Sequence, residues 1–254
     1  MGEIIPIFKS HYSLGRSILT LNPPKPEEET DSSDSVFDIC KEHDLKEIYL
    51  VDDNMAGFLE AFTNAESLGI KLIFGLRLTF CLDYLNKSEE GRQNSYKNII
   101  FAKNAAGYKD LIKIYTLAAQ DGFYYEPRID FKSLKSLWSN NLLLAIPFYD
   151  SFLYNNKYTN SQCVPDFSFT DPVFFTEDND TLLDKDTKKA VESFCLDKYD
   201  TIPCKSIYYR YREDFSSYLT FRCINSRTNV EKPNFDGMCS PEFCYESYIE
   251  SANG

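Results

Sequence analysis

The feature that most constrains this chain is a rhythm of short apolar runs, many of them followed by a stretch with apolar residues at helical spacing. "IIPIF" (4–8), "EIYLV" (47–51), "KLIFG" (71–75), "LTFCL" (78–82), "NIIFA" (98–102), "LLLAI" (142–146), "PVFF" (172–175) and "IPCKSIYY" (202–209) read as strands. Helices are expected over 35–43, with Val36, Phe37, Ile39 and Cys40 on one side, and over 55–68, with Phe58, Leu59, Phe62 and Ala65 on one face. Two more are expected over about 105–119 and within about 184–198. Strand followed by helix, repeated this often, predicts parallel β/α units in a barrel or an open α/β sheet. Ligand chemistry in such folds sits at the carboxyl ends of the strands. Asp52 and Asp53, in "LVDDNMAG" (50–57), stand at such an end.

Three stretches break the rhythm: the acidic, Pro-rich "NPPKPEEETDSSDS" (22–35), "DYLNKSEEGRQNSY" (83–96) and "TEDNDTLLDKDTK" (176–188). All three read as solvated surface segments whose charges keep the protein in solution. The net charge of −12 argues against attraction of the whole surface to nucleic acid. The one local candidate for such contact is "KSIYYRYR", where Lys205, Arg210 and Arg212 are interspersed with tyrosines able to stack on bases. Its ordinary reading is a half-buried strand with solvated ends. The eight cysteines form no C-x-x-C pair, so buried reduced thiols are expected; Cys239 and Cys244 lack two further ligands nearby. No apolar run approaches the roughly eighteen residues of a membrane span, and the N-terminus lacks a secretory pattern. A cytoplasmic protein making no membrane contact is the expectation.

Several segments are familiar in kind. "LVDDNMAGFLEAF" (50–62), "LGIKLIFG" (68–75), "FAKNAAGYKDLIKIYTLAAQDGFYYEPRIDFKSL" (101–134), "YYRYRED" (208–214) and "CSPEFCYES" (239–247) resemble, in order, the PHP (polymerase and histidinol phosphatase) domain of bacterial DNA polymerase III α subunits. The resemblance implies a distorted (β/α)7 TIM-like barrel. It further implies one PHP-like domain over 1–254, with a flexible acidic insertion at about 22–35 and a C-terminal extension at about 225–254. Active members hold two or three metal ions at the carboxyl ends of the strands and hydrolyse phosphoesters, with histidine and carboxylate ligands.

Matched motif by motif, most of those ligands are missing. The first motif, H-x-H-S-x-Y-S, reads Ile7-Phe-Lys-Ser-His-Tyr-Ser13, which puts Ile7 and Lys9 at the histidine positions and His11 at a variable one. Asp52 is retained, Asp53 replaces a histidine, Arg77 replaces a glutamate, and Ser206 and Tyr208 stand where an aspartate and a histidine belong. The chain has two histidines, His11 and His43, too few for a histidine-rich cluster. Asp52 and Asp53 remain weak candidates for one Mg²⁺ held through water. The ordinary alternative is that Asp52 caps the following helix while Lys9 or Arg77 neutralises the acid pair, giving a four-membered ion-pair network.

The expected function is accordingly a pseudoenzyme with no catalytic residue and no cofactor. It would serve as a structural or docking module, or accessory subunit, for a DNA polymerase catalytic subunit or another replication protein. Palm carboxylates are not found in this sequence, so it is not expected to polymerise unaided, whether it is free-standing or part of a longer chain. Two alternatives come from other classes. One is a metal-dependent phosphoesterase or 3′–5′ exonuclease rebuilt around Asp52 and Asp53. The other is an interaction protein that has co-opted the fold and binds through "FYYEP" (123–127) or "YYRYR" (208–212).

Overall fold

A computed structural model describes residues 4–26, 33–231 and 239–253; parts of the expected acidic insertion and C-terminal extension lie outside these. The elements run β1 (Ile5–Phe8), α1 (Val36–Glu42), β2 (Glu47–Asp52), α2 (Phe58–Leu68), β3 (Lys71–Cys81), α3 (Glu89–Gln93), β4 (Ser95–Ala102) and α4 (Ala105–Gln120). They continue as β5 (Arg128–Ile129), α5 (Phe131–Leu137), β6 (Leu142–Ile146), α6 (Phe152–Tyr158), β7 (Val173–Thr176), α7 (Asp184–Cys195) and β8 (Thr201–Ile207). A short 3₁₀ turn (Arg212–Asp214), α8 (Phe215–Ser226) and α9 (Tyr245–Asn253) follow. Among the described residues no helix is long and apolar enough to cross a membrane.

Seven strands close a ring in the order β2-β1-β8-β7-β6-β4-β3, sealed by the β2–β3 pairing, and β5 pairs with the far end of β3 outside the ring. This is the closed α/β barrel that the resemblance implies. It departs from uniform β/α repetition at one place, where β4 runs antiparallel to both β3 and β6. The β3–β4 connection carries only the five-residue α3, and an antiparallel pair needs no crossover helix. The runs 71–75 and 78–82, read as two strands, are one eleven-residue strand. Arg77 sits between them without breaking it, because its side chain falls on the inward-facing series.

That alternation organises the molecule. Ile7, Val51, Ile99, Phe101, Ala145, Phe175 and Cys204 fill the barrel interior. Their neighbours Phe8, Leu50, Phe74, Ile100, Leu144 and Phe174 face outward into the larger core beneath the helices. Gly75 belongs to the inward series, and a Cβ there would lie 2.7 Å from the ring of Phe101, so glycine makes room for the aromatic. On α2 the buried residues are Ala61 and Ala65, whereas Leu59 is 72% exposed and Phe62 44% exposed. The expected face is thus rotated, because small residues let the helix approach β3 closely, and Phe58 stacks instead on Tyr108 of α4 at 3.7 Å.

Candidate functional site

Continued past the strand ends, the inward series places a polar layer on top of the apolar ones. Lys9 follows Ile7, Asp53 follows Val51, Arg77 follows Gly75, Glu177 follows Phe175, and Ser206 and Tyr208 follow Cys204. On antiparallel β4, Lys97 precedes Ile99 and reaches the same end. Ile7, Lys9, Arg77, Glu177, Ser206 and Tyr208 line one cavity of about 40 Å³ at this carboxyl-end mouth. The sequence-derived positions Ile7, Lys9, Asp53, Arg77, Ser206 and Tyr208 therefore do converge.

Asp52 does not join them. Adjacent strand residues point to opposite faces, so Asp52 lies outside the barrel wall while Asp53 lies within it. Asp52 is fully buried and accepts three hydrogen bonds, from the Ser10 amide at 2.9 Å, the Ser10 hydroxyl at 2.7 Å and the Ser13 hydroxyl at 2.7 Å. Ser13 Oγ in turn accepts from the Asp53 amide at 2.9 Å. The carboxylate pins the loop after β1 to the end of β2. It is not the cap of α2, whose N-terminus at Gly57 has no side-chain cap.

Asp53 is held by cations. Lys9 Nζ donates to Asp53 Oδ1 at 2.9 Å, and Arg77 Nη1 lies 3.6 Å from the same oxygen. The other Arg77 nitrogen, Nη2, donates to Asp150 Oδ2 at 2.5 Å. The network is therefore Lys9–Asp53–Arg77–Asp150, with Asp150 in the place where Asp52 was expected. Burial tends to raise the Asp53 carboxyl, but Lys9, then Arg77, Arg16 and Lys97, hold it well below the usual carboxylate range. Asp150 is lowered in the same way, chiefly by Arg77 and Arg16 working against burial. Burial pulls the Lys9 ammonium down, with Asp53 opposing.

Glu177 forms the other wall and was missed from sequence, since 176–188 reads as a solvated run. The structure corrects that expectation: Glu177, Asn179 and Asp184 are all buried. Glu177 accepts from the Ser206 amide at 3.0 Å, the Ser206 hydroxyl at 2.9 Å and Asn179 Nδ2 at 2.9 Å. Burial nonetheless pushes its carboxyl up, and the same burial, with Glu177 nearby, pushes Tyr208 up to about 12. Its place two residues beyond Phe175 in the alternation was the available signal. Asp150 carries no such signal. It adopts φ 59°, which aspartate tolerates, and its carbonyl accepts from the Lys97 amide at 2.8 Å, turning the carboxylate to Arg77.

The donor set does not fit the metal cluster implied by the resemblance. A multinuclear site needs several imidazoles and free carboxylates around a shared water. Here Asp52 has its oxygens turned to hydroxyl and amide donors outside the wall, Asp53 is occupied by an ammonium, and Arg77 adds a fixed cation. His43 lies at the end of α1 against Tyr245, and among the described residues no group of three or more His, Cys, Asp or Glu is placed to hold an ion. Seven cysteines, Cys244 among them, are buried free thiols. Nor do Lys205, Arg210 and Arg212 form an open basic strip. Lys205 is buried and donates to the Asp178 carbonyl, Arg210 pairs with Asp34 and Glu42, and Arg212 pairs with Glu242, Glu246 and Glu250.

Comparison with known proteins agrees with the fold. Residues 28–152 match the PHP domain family. The chain is 35% identical over 94 residues to the DNA polymerase III subunit alpha of Borreliella burgdorferi, covering 36% of this chain and 8% of that protein. It is 34% identical over 110 residues to the Aquifex aeolicus subunit, covering 40% of this chain and 10% of that one. With the Treponema pallidum subunit the identity is 26% over 208 residues, 76% of this chain and 18% of the relative. The matched region is thus less than a fifth of the length of these relatives.

Proposed function

We propose that this chain, whose PHP domain is related to that of DNA polymerase III subunit alpha, is a catalytically inactive module that docks onto or braces a replicative DNA polymerase. The observation that carries the reading is the mouth of the barrel, where Lys9 and Arg77 are locked to Asp53 and Asp150. Metal-dependent phosphoester hydrolysis draws its nucleophile from a metal-bound water whose pKa the ion lowers. An ammonium and a guanidinium stabilise charge but deliver no hydroxide. The rebuilt phosphoesterase around Asp52 and Asp53 finds less support, because the two carboxylates occupy opposite faces of the wall.

A replication partner is favoured by the relatives' identity as polymerase subunits, and a protein rather than DNA contact by the net charge of −12. The test is affinity purification of the tagged chain from its native source at moderate salt, with mass spectrometry of what co-elutes. A polymerase catalytic subunit or another replication protein is the expected partner. Mn²⁺-dependent hydrolysis of a generic phosphodiester by the purified chain would overturn the inactive assignment.

A further inference from the structure

At the opposite end of the barrel a second concavity lies between α6, the segment leading into β7 and the end of α7. Its volume is about 510 Å³, within the range of small-molecule sites. Phe152, Phe167, Phe194 and Tyr199 supply aromatic walls, and Val164, 80% exposed, stands at its edge. Phe194 and Tyr199 are nearly parallel, at 12° with centroids 6.0 Å apart.

The charge at this cleft is specific. Lys198 Nζ lies 5.0 Å from the ring centre of Tyr199 and 5.7 Å from that of Phe194, and among the described residues no carboxylate pairs with it. In a protein with twelve excess negative charges, Lys198 has ring faces rather than a carboxylate as its partners, which leaves its charge unneutralised by an ion pair. The acid of the cleft, Asp166, turns its carboxylate to the Ser168 amide at 2.9 Å, and Lys135 reaches the Ser168 hydroxyl at 3.1 Å. Asp166 is thereby engaged on the far rim, beside a cation of its own.

We propose that this cleft binds a planar aromatic ring carrying an anionic group, with the ring against the Phe167, Phe194 and Tyr199 walls and the anion on Lys198. A nucleotide and an aryl acid both present that chemistry. The site is distinct from the ion pairs of the barrel mouth: residues 163–168 precede β7 and residues 198–199 precede β8, at the amino ends of the strands, and of its walls only Phe152, which opens α6, follows a strand.

The probes are 8-anilinonaphthalene-1-sulfonate and dAMP, with the full chain. Trp138, the one tryptophan, has its ring 5.4 Å from that of Phe169, next to Ser168, and serves as energy-transfer donor to the naphthalene probe. dAMP is followed by calorimetry and by displacement of the probe. Saturable one-to-one binding is expected, weakened about tenfold by Lys198→Glu and weakened at least as much by Val164→Glu, which sets a carboxylate at the apolar rim and leaves Trp138 the one donor. Uncharged N-phenyl-1-naphthylamine should lose affinity with Val164→Glu but not with Lys198→Glu. Both substituted positions are exposed, so the variants are expected to fold, which circular dichroism checks. Displacement by dAMP identifies a nucleotide as the ligand class, and binding of the sulfonate alone identifies an aryl acid. No saturable binding of either probe, or binding that both variants leave unchanged, overturns the proposal.

Discussion

Replacing Asp52 with asparagine separates the two accounts of this residue by sign. In the structure its oxygens receive one amide and two hydroxyl donors, from Ser10 and Ser13, and the group is fully buried. Asparagine keeps the shape and one acceptor but turns an N–H₂ group toward those donors. At about 1–3 kcal/mol for each buried donor left unsatisfied, with partial relief as the hydroxyls rotate, the cost is about 2–4 kcal/mol. For a chain of this size each kcal/mol lowers the melting temperature by about 2–4 °C, so a fall of about 5–15 °C is expected. Thermal melts followed by circular dichroism in EDTA are the assay. An aspartate kept as a metal ligand among other acids behaves oppositely, since neutralising it without metal relieves repulsion. An unchanged or raised melting temperature for Asp52→Asn refutes the structural role assigned here.

Three further outcomes follow from the mouth. Arg77→Ala, Asp53→Ala and the double variant should show a coupling of about 1–3 kcal/mol in urea titrations, while Arg77→Ala combined with Asp52→Ala should be nearly additive; additivity in the first pair would remove the network. Asp53 and Asp150 have carboxyls lowered in the fold, so their contribution is complete above the ordinary carboxylate pKa near 4 and is lost as pH falls further. Stability measured from pH 6 to pH 2 should drop less steeply in Asp53→Asn than in the parent, and equal slopes would contradict this. Glu177 has the opposite sign: its raised carboxyl makes the folded state bind the proton more tightly, so stability declines as pH rises from the ordinary value toward the folded one. The cost of Glu177→Gln should therefore be smaller at pH 8 than at pH 5, and a cost growing with pH would rule it out.

Much of this was legible in the sequence because one rule, alternation along strands, governs both fold and site. The runs at β1, β2, β6 and β7 fall within a residue or two of the observed strands, and Lys9, Asp53 and Arg77 meet because each continues an inward series. The same rule also separates Asp52 from Asp53. Read only as neighbours, the two acids looked like a pair. What local pattern does not carry is tertiary: Asp150 reaches Arg77 from a loop 73 residues away, and Glu177 and Asp184 are buried in a segment whose composition is that of a solvated loop. The strand at 98–102 was legible but its antiparallel direction was not, because apolar content gives a strand no direction. The face of α2 was read correctly at Ala65 but not at Leu59 and Phe62, because close packing on β3 favoured Ala61 over those larger side chains.

The most direct test of the fixed-cation mouth is elemental analysis of the chain after saturating exposure to Mn²⁺ and Zn²⁺ and removal of free ions by gel filtration. With Lys9 and Arg77 seated on Asp53 and Asp150, well under one ion per chain should remain, and Asp53→Ala should leave that figure unchanged. Two or more ions per chain, lost in Asp53→Ala, would contradict the account.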